Sequence, residues 1–281
     1  MNVAILGCGY VGLELGRQLT AGGHRVVGVR RSAEGIRAIK DAGFDAVRAD
    51  VTESDDLAAV PDVDAVVYAA SAGGRDVEAA RAAYVDGLGT AVETFANRAD
   101  PPDRFVYTSS TGVYGDRDGA WVDERTPLEP TTEREEVLVE AERIAREETG
   151  AMDGTVARFA GLYGPDRYRM ERYLDGPVSE GYLNLVHRDD AAGAVRFLLT
   201  EDYARDDVVL VVDDEPVNRP TLARWLADEC GVERSEVRSA GRSERARTSK
   251  RCSNEKLREL GYEFEYPTFR EGYRPAIAEL C

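Results

Sequence analysis

The stretch from Val3 to Gly12, VAILGCGYVG, constrains the fold of this chain more than any other. Val3, Ala4, Ile5 and Leu6 form a short apolar run of the kind that makes a strand buried on both faces. The run leads directly into Gly7-Cys8-Gly9-Tyr10-Val11-Gly12, a G-x-G-x-x-G, and Val11, Leu15 and Leu19 then recur at helical spacing. Each glycine has its own physical role. Gly7 permits the tight turn, Gly9 lets a pyrophosphate approach the backbone, and Gly12 lets helix and strand pack closely. The helix directs unpaired N–H groups and the positive end of its dipole at the phosphates. Gly7, Gly9, Tyr10, Val11 and Gly12 are therefore the expected floor of a dinucleotide site; a glycine-rich turn without a ligand is the alternative.

The second strand narrows the ligand. Gly22-Gly23-His24 closes the first helix, and Arg25–Val29 reads as the strand. An NAD site places an acidic residue at this strand's end to hold the adenosine ribose hydroxyls. Arg30, Arg31 and Ser32 stand there instead. Guanidinium forks suit a phosphate, so NADP is expected rather than NAD. The alternative is a pair of solvated arginines.

At 281 residues the chain can bury a large core and accommodate a Rossmann domain with a smaller elaboration. Its formal net charge is −17, and its only lysines are Lys40, Lys250 and Lys256. Such a surface repels nucleic acid and anionic membranes, so neither is an expected partner. The composition resembles that of proteins from salt-loving organisms, because at ~1 M salt the Debye length falls to about 3 Å and crowded carboxylates become tolerable. An acidic protein of ordinary habitat is the alternative.

Cys8, Cys230, Cys252 and Cys281 lack C-x-x-C spacing and are read as free thiols in a reducing compartment. His24 and His187 are the only histidines, and nothing near them has metal-ligand spacing, so no metal is expected. No segment is long and apolar enough to span a bilayer. With a core strand at the very start, no signal peptide is expected either, and the expected location is the cytoplasm.

Strand and helix then alternate. Ala33–Ala42 reads as an amphipathic helix and Asp45–Ala49 as the third strand. That strand ends in Asp50-Val51, where a carboxylate could reach the adenine amino group or form an Asx turn beside Thr52. Asp64–Ala69 is the fourth strand. Ala70-Ser71-Ala72-Gly73-Gly74 follow, and Ala69, Ala70 and Ser71 are small enough to leave room for the cofactor's ribose and diphosphate or to be plain loop. A long helix is predicted over Asp76–Ala96, a strand over Arg104–Thr108, a helix over Glu133–Glu147 and a strand over Thr155–Phe159. This alternation implies a doubly wound parallel sheet with helices on both faces. Beyond Gly161 the regularity falls. Asp189-Asp190 are expected to cap a helix over Ala191–Leu199, Val208–Val212 is a strand, Thr221–Cys230 a helix, and Ser253 caps a helix ending at Gly261.

The chain resembles the extended and atypical short-chain dehydrogenase/reductase proteins, the NAD(P)-dependent epimerase/dehydratase group. The matching segments are GCGYVG, Asp50-Val51, YTSSTGVYGD (Tyr107–Asp116), RFAGLYGP (Arg158–Pro165), LVHRDDAAGAV (Leu185–Val195) and the KRCSNEKLRELGYEFEYPTFREGY segment. The resemblance implies an α/β fold of Rossmann type, with residues 1–160 binding NADP and a smaller region, 161–281, covering and binding the substrate. It implies that a Ser or Thr at the end of the fifth strand holds the reacting oxygen, which lands on Ser110 with Thr111 beside it; a strand-terminal turn residue is the alternative for Ser110.

The family's proton donor is a Tyr four residues before a Lys, placed on one helical face so that the ammonium lowers the phenol's pKa and binds the nicotinamide ribose. The corresponding register falls near Thr132 and Glu136, and that helix contains neither Tyr nor Lys. Tyr163, with Arg167, Arg169 and Arg172 just downstream, is the substitute donor expected on this reading. Tyr114 is expected to be an aromatic wall and His187 a buried or capping residue. The three arginines could bind an anionic substrate or pair with surface carboxylates.

The function so implied is an NAD(P)-dependent oxidoreductase or epimerase of a small polar, sugar-like substrate, with assembly as a homodimer left open. A non-catalytic NADP-binding sensor is the alternative.

Overall fold

The computed structural model describes residues 1–74, 76–175, 178–232 and 248–281. The apolar runs pair side by side. β1 (Asn2–Leu6) lies between β2 (Arg25–Arg30) and β4 (Ala65–Tyr68), with Val3 opposite Val26 and Ala65, and Leu6 opposite Val29 and Tyr68, all parallel. Flanked by strands on both edges and helices on both faces, Val3 to Leu6 are 0 % exposed. β3 (Asp45–Arg48) pairs parallel with β2, and β5 (Arg104–Ser110) with β4. With β6 (Asp153–Phe159) and β7 (Asp207–Val211) the sheet has seven strands in the order β7-β6-β5-β4-β1-β2-β3. The reversal between β1 and β4 is the switch point at which such sheets bind ligands beyond their strand ends.

The helices cover the sheet as the alternation requires. α1 (Tyr10–Ala21) buries Val11, Leu15 and Leu19. Ser32 caps α2 (Ala33–Asp41), its side chain accepting from Gly35 N at 3.1 Å. After β4 the expected continuous helix is instead two α segments, α3 (Val77–Arg81) and α4 (Gly87–Ala96), joined by a π-helical turn over Ala82–Asp86. Asp76 starts it, accepting from Ala79 N at 2.7 Å. α5 (Glu133–Glu147) opens with a capping box between Thr132 and Glu135. One core unites β1, β2, β4 and β5 with α3, α4 and α5, and includes Leu6, Val29, Tyr68, Phe95, Phe105, Tyr107 and Ile144.

By internal packing the chain divides into two units. The first is Met1–Val113, Leu128–Arg158 and Ala192–Val209; the second is Tyr114–Pro127, Phe159–Ala191 and Leu210–Cys281. The second unit contains short strand pairs, Gly161–Tyr163 beside Leu185–His187, Tyr182–Leu183 beside Val217–Asn218, and Trp121–Val122 beside Arg251–Cys252. Its core is aromatic, with Tyr163, Phe269 and Tyr273 packed on Leu222 and Leu226 of the helix Arg219–Glu229.

Several expectations are corrected. Asp190 does not cap the helix that follows it, which already begins at Arg188 (α6, Arg188–Thr200). It is buried, and its carboxyl accepts from Tyr262 OH, Glu265 N and Tyr266 N at 2.8–3.1 Å, tying down the segment before the last helix, Phe269–Leu280. Nor are all four cysteines thiols. Cys230, at the end of the helix Arg219–Glu229, forms a disulfide with Cys281, their Cα atoms 5.2 Å apart. Cys8 and Cys252 are buried and take no part in it. Spacing along the chain carries no sign of a contact made across 51 residues. No helix among the described residues is long and apolar enough to cross a membrane.

Candidate dinucleotide and substrate site

The glycine turn after β1 is pinned from two sides. Gly7 N and Cys8 N donate to Val29 O on β2 at 3.1 and 3.0 Å. Gly7 has φ +74°, and a Cβ on it would lie 2.2 Å from Ala70 Cα, so turn and β4 loop meet backbone to backbone. Gly12 lets α1 close on β1, since a Cβ there would come within 3.0 Å of Ile5 Cγ2. Gly9 is the N-cap of α1 and has no side chain with which to cap it, and the first turn carries no acidic residue. Tyr10 and Val11 follow as its first residues. Cys8 is 1 % exposed, and burial pushes its thiol up to about 12 against the opposing pull of Arg30, so it is an inert packing thiol.

Arg30 lies over this turn. A Cβ on Gly9 would meet Arg30 Nη1 at 2.7 Å, and one on Gly35 would meet Arg30 Nε at 2.8 Å. Two glycines thus make the slot in which the half-buried guanidinium sits. Arg31 is exposed, and its Nη1 reaches Asp50 Oδ2 at 3.4 Å. Asp50 is also the Asx turn, its Oδ1 accepting from Thr52 N at 3.2 Å and Thr52 Oγ1 at 2.9 Å. Burial works against the charge on Asp50, but the bonds from Thr52 and Arg31 outweigh it and hold the carboxyl below the usual range. Ser32 spends its hydroxyl on capping α2. Val51 packs inward against the core.

At the end of β4, Ala69 N extends the ladder to Leu6 O at 2.8 Å. Ala69 and Ala70 are half-buried and Ser71 is exposed. Ala72 N donates to the hydroxyl of Tyr84 at 3.3 Å, a residue that a continuous helical pattern gave no reason to single out.

The three hydroxyls at and just after the end of β5 have different environments. Ser109 is buried and donates to Glu142 Oε1 at 2.7 Å. Glu142 is itself held by Arg158, with Nε 2.9 Å from Oε1 and Nη2 2.6 Å from Oε2. Ser110 is half-buried, and its Oγ accepts from Gly112 N at 3.0 Å, which leaves the hydroxyl proton to give. Thr111 is 7 % exposed and starts a 3₁₀ turn, Thr111–Tyr114. A Cβ on Gly112 would lie 3.2 Å from Ser110 Oγ and 3.3 Å from Leu138 Cδ1, so Leu138 is a residue of α5 that faces this turn. That corrects the register expected from spacing. Thr132 is the helix cap and Glu136 is exposed, while Leu138 and, one turn before it, half-buried Arg134 share the relevant face. The capping box Thr132-x-x-Glu135 marked where the helix begins and was the sequence's one clue to this register. An apolar side chain, not an ammonium, stands beside Ser110.

In the second unit Tyr163 is 2 % exposed and stacks on Tyr273 with ring centroids 4.9 Å apart. Burial raises its phenol pKa strongly, and Asp213, Tyr273 and Asp190 raise it further. The expected downward tuning by Arg167, Arg169 and Arg172 is therefore overturned; all three are exposed, and Tyr163 is a core residue held in its neutral form. Tyr114 is 1 % exposed, with its hydroxyl donating to Asp123 O at 2.7 Å. His187 is 1 % exposed and its Nδ1 accepts from Asp189 N at 3.3 Å. Burial lowers its pKa to about 4. No cluster of His, Cys, Asp or Glu among the described residues could hold a metal ion.

The model of the NAD dependent epimerase/dehydratase family matches residues 3–206. The chain belongs to that family. It is 33 % identical over 277 residues to Protein YeeZ of Escherichia coli K12, spanning 95 % of this chain and 96 % of the relative. A solved structure described as a putative NAD-dependent epimerase/dehydratase from Methylobacillus flagellatus superposes with a TM-score of 0.81 at 33 % identity, over 99 % of this chain and 98 % of that one. A human epimerase family protein bound to NADPH shares the fold, with a TM-score of 0.80 at 18 % identity and full coverage of both chains, 100 % each. Membership makes the chain an NAD(P)-dependent enzyme of the epimerase/dehydratase type. The residues present fit such a cofactor: the cradle at Gly7, Gly9 and Gly12 has room only while no Cβ fills it, and a helix N-terminus and a guanidinium converge on it.

Proposed function

We propose that this member of the family is an NADP-preferring oxidoreductase or epimerase of a small polar, sugar-like substrate, with the chain beyond about residue 160 supplying the substrate-binding region. The supporting observation is the end of β2, where Arg30 sits over Gly9 and Arg31 beside it, with no acidic side chain in the position that would hold an unphosphorylated ribose. Bound nicotinamide supplies the hydride chemistry. On this reading Gly7, Gly9, Tyr10, Val11 and Gly12 hold the diphosphate, Arg30 and Arg31 the 2′-phosphate, and Asp50 orients Arg31. Ser110 directs its hydroxyl at the reacting oxygen. Tyr163, buried and hard to ionise, is assigned to the core and not to proton transfer.

Calorimetric titration tests the cofactor choice. A charge-assisted hydrogen bond contributes about 1.5–3 kcal/mol, and ~1.4 kcal/mol is tenfold in affinity. NADPH should bind at least about tenfold more tightly than NADH, and Arg30→Asp should erase the difference; equal affinities in the wild type reject the preference. A screen of aldehydes, ketones and sugar nucleotides for cofactor oxidation or reduction tests the chemistry. Tight NADPH binding with no turnover in that screen favours a cofactor-sensing role.

A further inference from the structure

We propose that Tyr84 is a cofactor-binding residue, its hydroxyl donating to an oxygen of the nicotinamide-ribose half of the dinucleotide. The inference rests on the cofactor reading given above and adds to it a residue on the π-helical turn. A π turn inserts a residue and disturbs the regular helical ladder, and such turns occur frequently at functional sites. Here the disturbance is locked from below. Tyr68, on β4 and 0 % exposed, donates its hydroxyl to Ala83 O at 2.5 Å. Room for this phenol comes from Gly87, where a Cβ would lie 2.7 Å from Tyr68 Oη.

The turn so held places half-buried Tyr84 against the loop that follows β4, where its hydroxyl accepts from Ala72 N at 3.3 Å. A phenol is both donor and acceptor. With one lone pair fixed by the Ala72 amide, its proton has no acceptor among the described residues. An oriented hydroxyl with a proton to give is a ligand-recognising group.

Its position in the sheet says which part of the ligand. The loop bearing Ala72 abuts the glycine turn, since Ala70 Cα lies 2.2 Å from where a Gly7 Cβ would be. β4 stands between β1, whose turn holds the diphosphate, and β5, which ends at Ser110. A dinucleotide reaching from Gly9 towards Ser110 would have to cross the end of β4 with its nicotinamide half. The lysine that binds that ribose in the resembling proteins has no counterpart on α5, which contains no lysine and turns Leu138 to Ser110. Tyr84 supplies the donor from the π-helical turn instead of from α5.

Calorimetry with two probes tests this: NADPH, and adenosine 2′,5′-bisphosphate, which lacks the nicotinamide half. Tyr84→Phe should weaken NADPH by about tenfold, the worth of one hydrogen bond, and leave the bisphosphate unchanged. Equal weakening of both probes, or of neither, overturns the proposal. Should the wild type prefer NADH, the same comparison uses NADH and ADP. A wild type that binds neither dinucleotide refutes the cofactor reading itself, and the proposal with it. If Tyr84→Phe does not fold, carbon-13 tyrosine spectra of the wild-type chain decide, with the Tyr84 ring assigned through its contact with the Ala72 amide: that ring-carbon resonance should move with NADPH and stay still with the bisphosphate, and its movement with both or neither overturns the proposal.

Discussion

A histidine 1 % exposed and tuned to about 4 makes a measurable statement about stability. In the unfolded chain His187 takes a proton near its ordinary pKa of 6.5; in the folded chain burial withholds that proton until about pH 4. The unfolded state therefore binds more protons between these values, and stability contributed by neutral His187 is lost as pH falls from 6.5 towards 4. Asp190 and Asp213, in the same unit, have carboxyl groups raised by burial and push the other way, since their neutral forms favour the fold as pH falls. The measurement must isolate the imidazole. Chemical denaturation of wild type and His187→Phe at several pH values should show the wild type losing stability relative to the variant from pH 6.5 downward, by about 1.4 kcal/mol for each pH unit well inside that window. A difference that does not vary with pH between 6.5 and 4 contradicts the assignment.

At the scale of elements, the pair Glu142–Arg158 joins three pieces. Glu142 belongs to α5, Arg158 to β6, and Ser109, which donates to the same carboxylate, to β5. Both charged residues are 4 % exposed, so removing one partner leaves a buried charge uncompensated. Arg158→Met should cost about 3–5 kcal/mol in urea denaturation, and the double variant Glu142→Leu with Arg158→Met should recover much of that. Similar losses in single and double variants would mean that packing, not charge, holds the helix. The same elements mark how far the sequence could be read. Strand-helix alternation gave β1 to β7 within a residue or two, because apolar runs between turn residues leave few other pairings. It could not show that Glu142, one acid among many on α5, turns inward to an arginine, nor that Leu138 and not Glu136 shares the face towards Ser110. Helix register is set by the cap at Thr132 and by packing, which spacing along the chain alone does not show. The π turn escaped for a similar reason: Tyr68 stabilises it from another element, so nothing within Ala82–Asp86 announces it.

For the molecule as a whole, charge sets the final expectation. A net −17 on 281 residues is self-repulsive at low ionic strength, where the Debye length of about 10 Å at 0.1 M spans neighbouring surface carboxylates. At ~1 M it falls to about 3 Å and the repulsion is screened. Screening also weakens the exposed pairs, such as Arg81–Glu140 and Arg31–Asp50, but each of these contributes only about 0–1 kcal/mol. Glu142–Arg158, shielded from solvent, is screened much less. The repulsive term is shared among many carboxylates while the attractive losses are few and small, so relief of repulsion should dominate. The melting temperature should rise steadily from low salt to molar KCl. A melting temperature that stays flat or falls over that range means the acidic surface is not an adaptation to salt, and that local ion pairs outweigh the net charge.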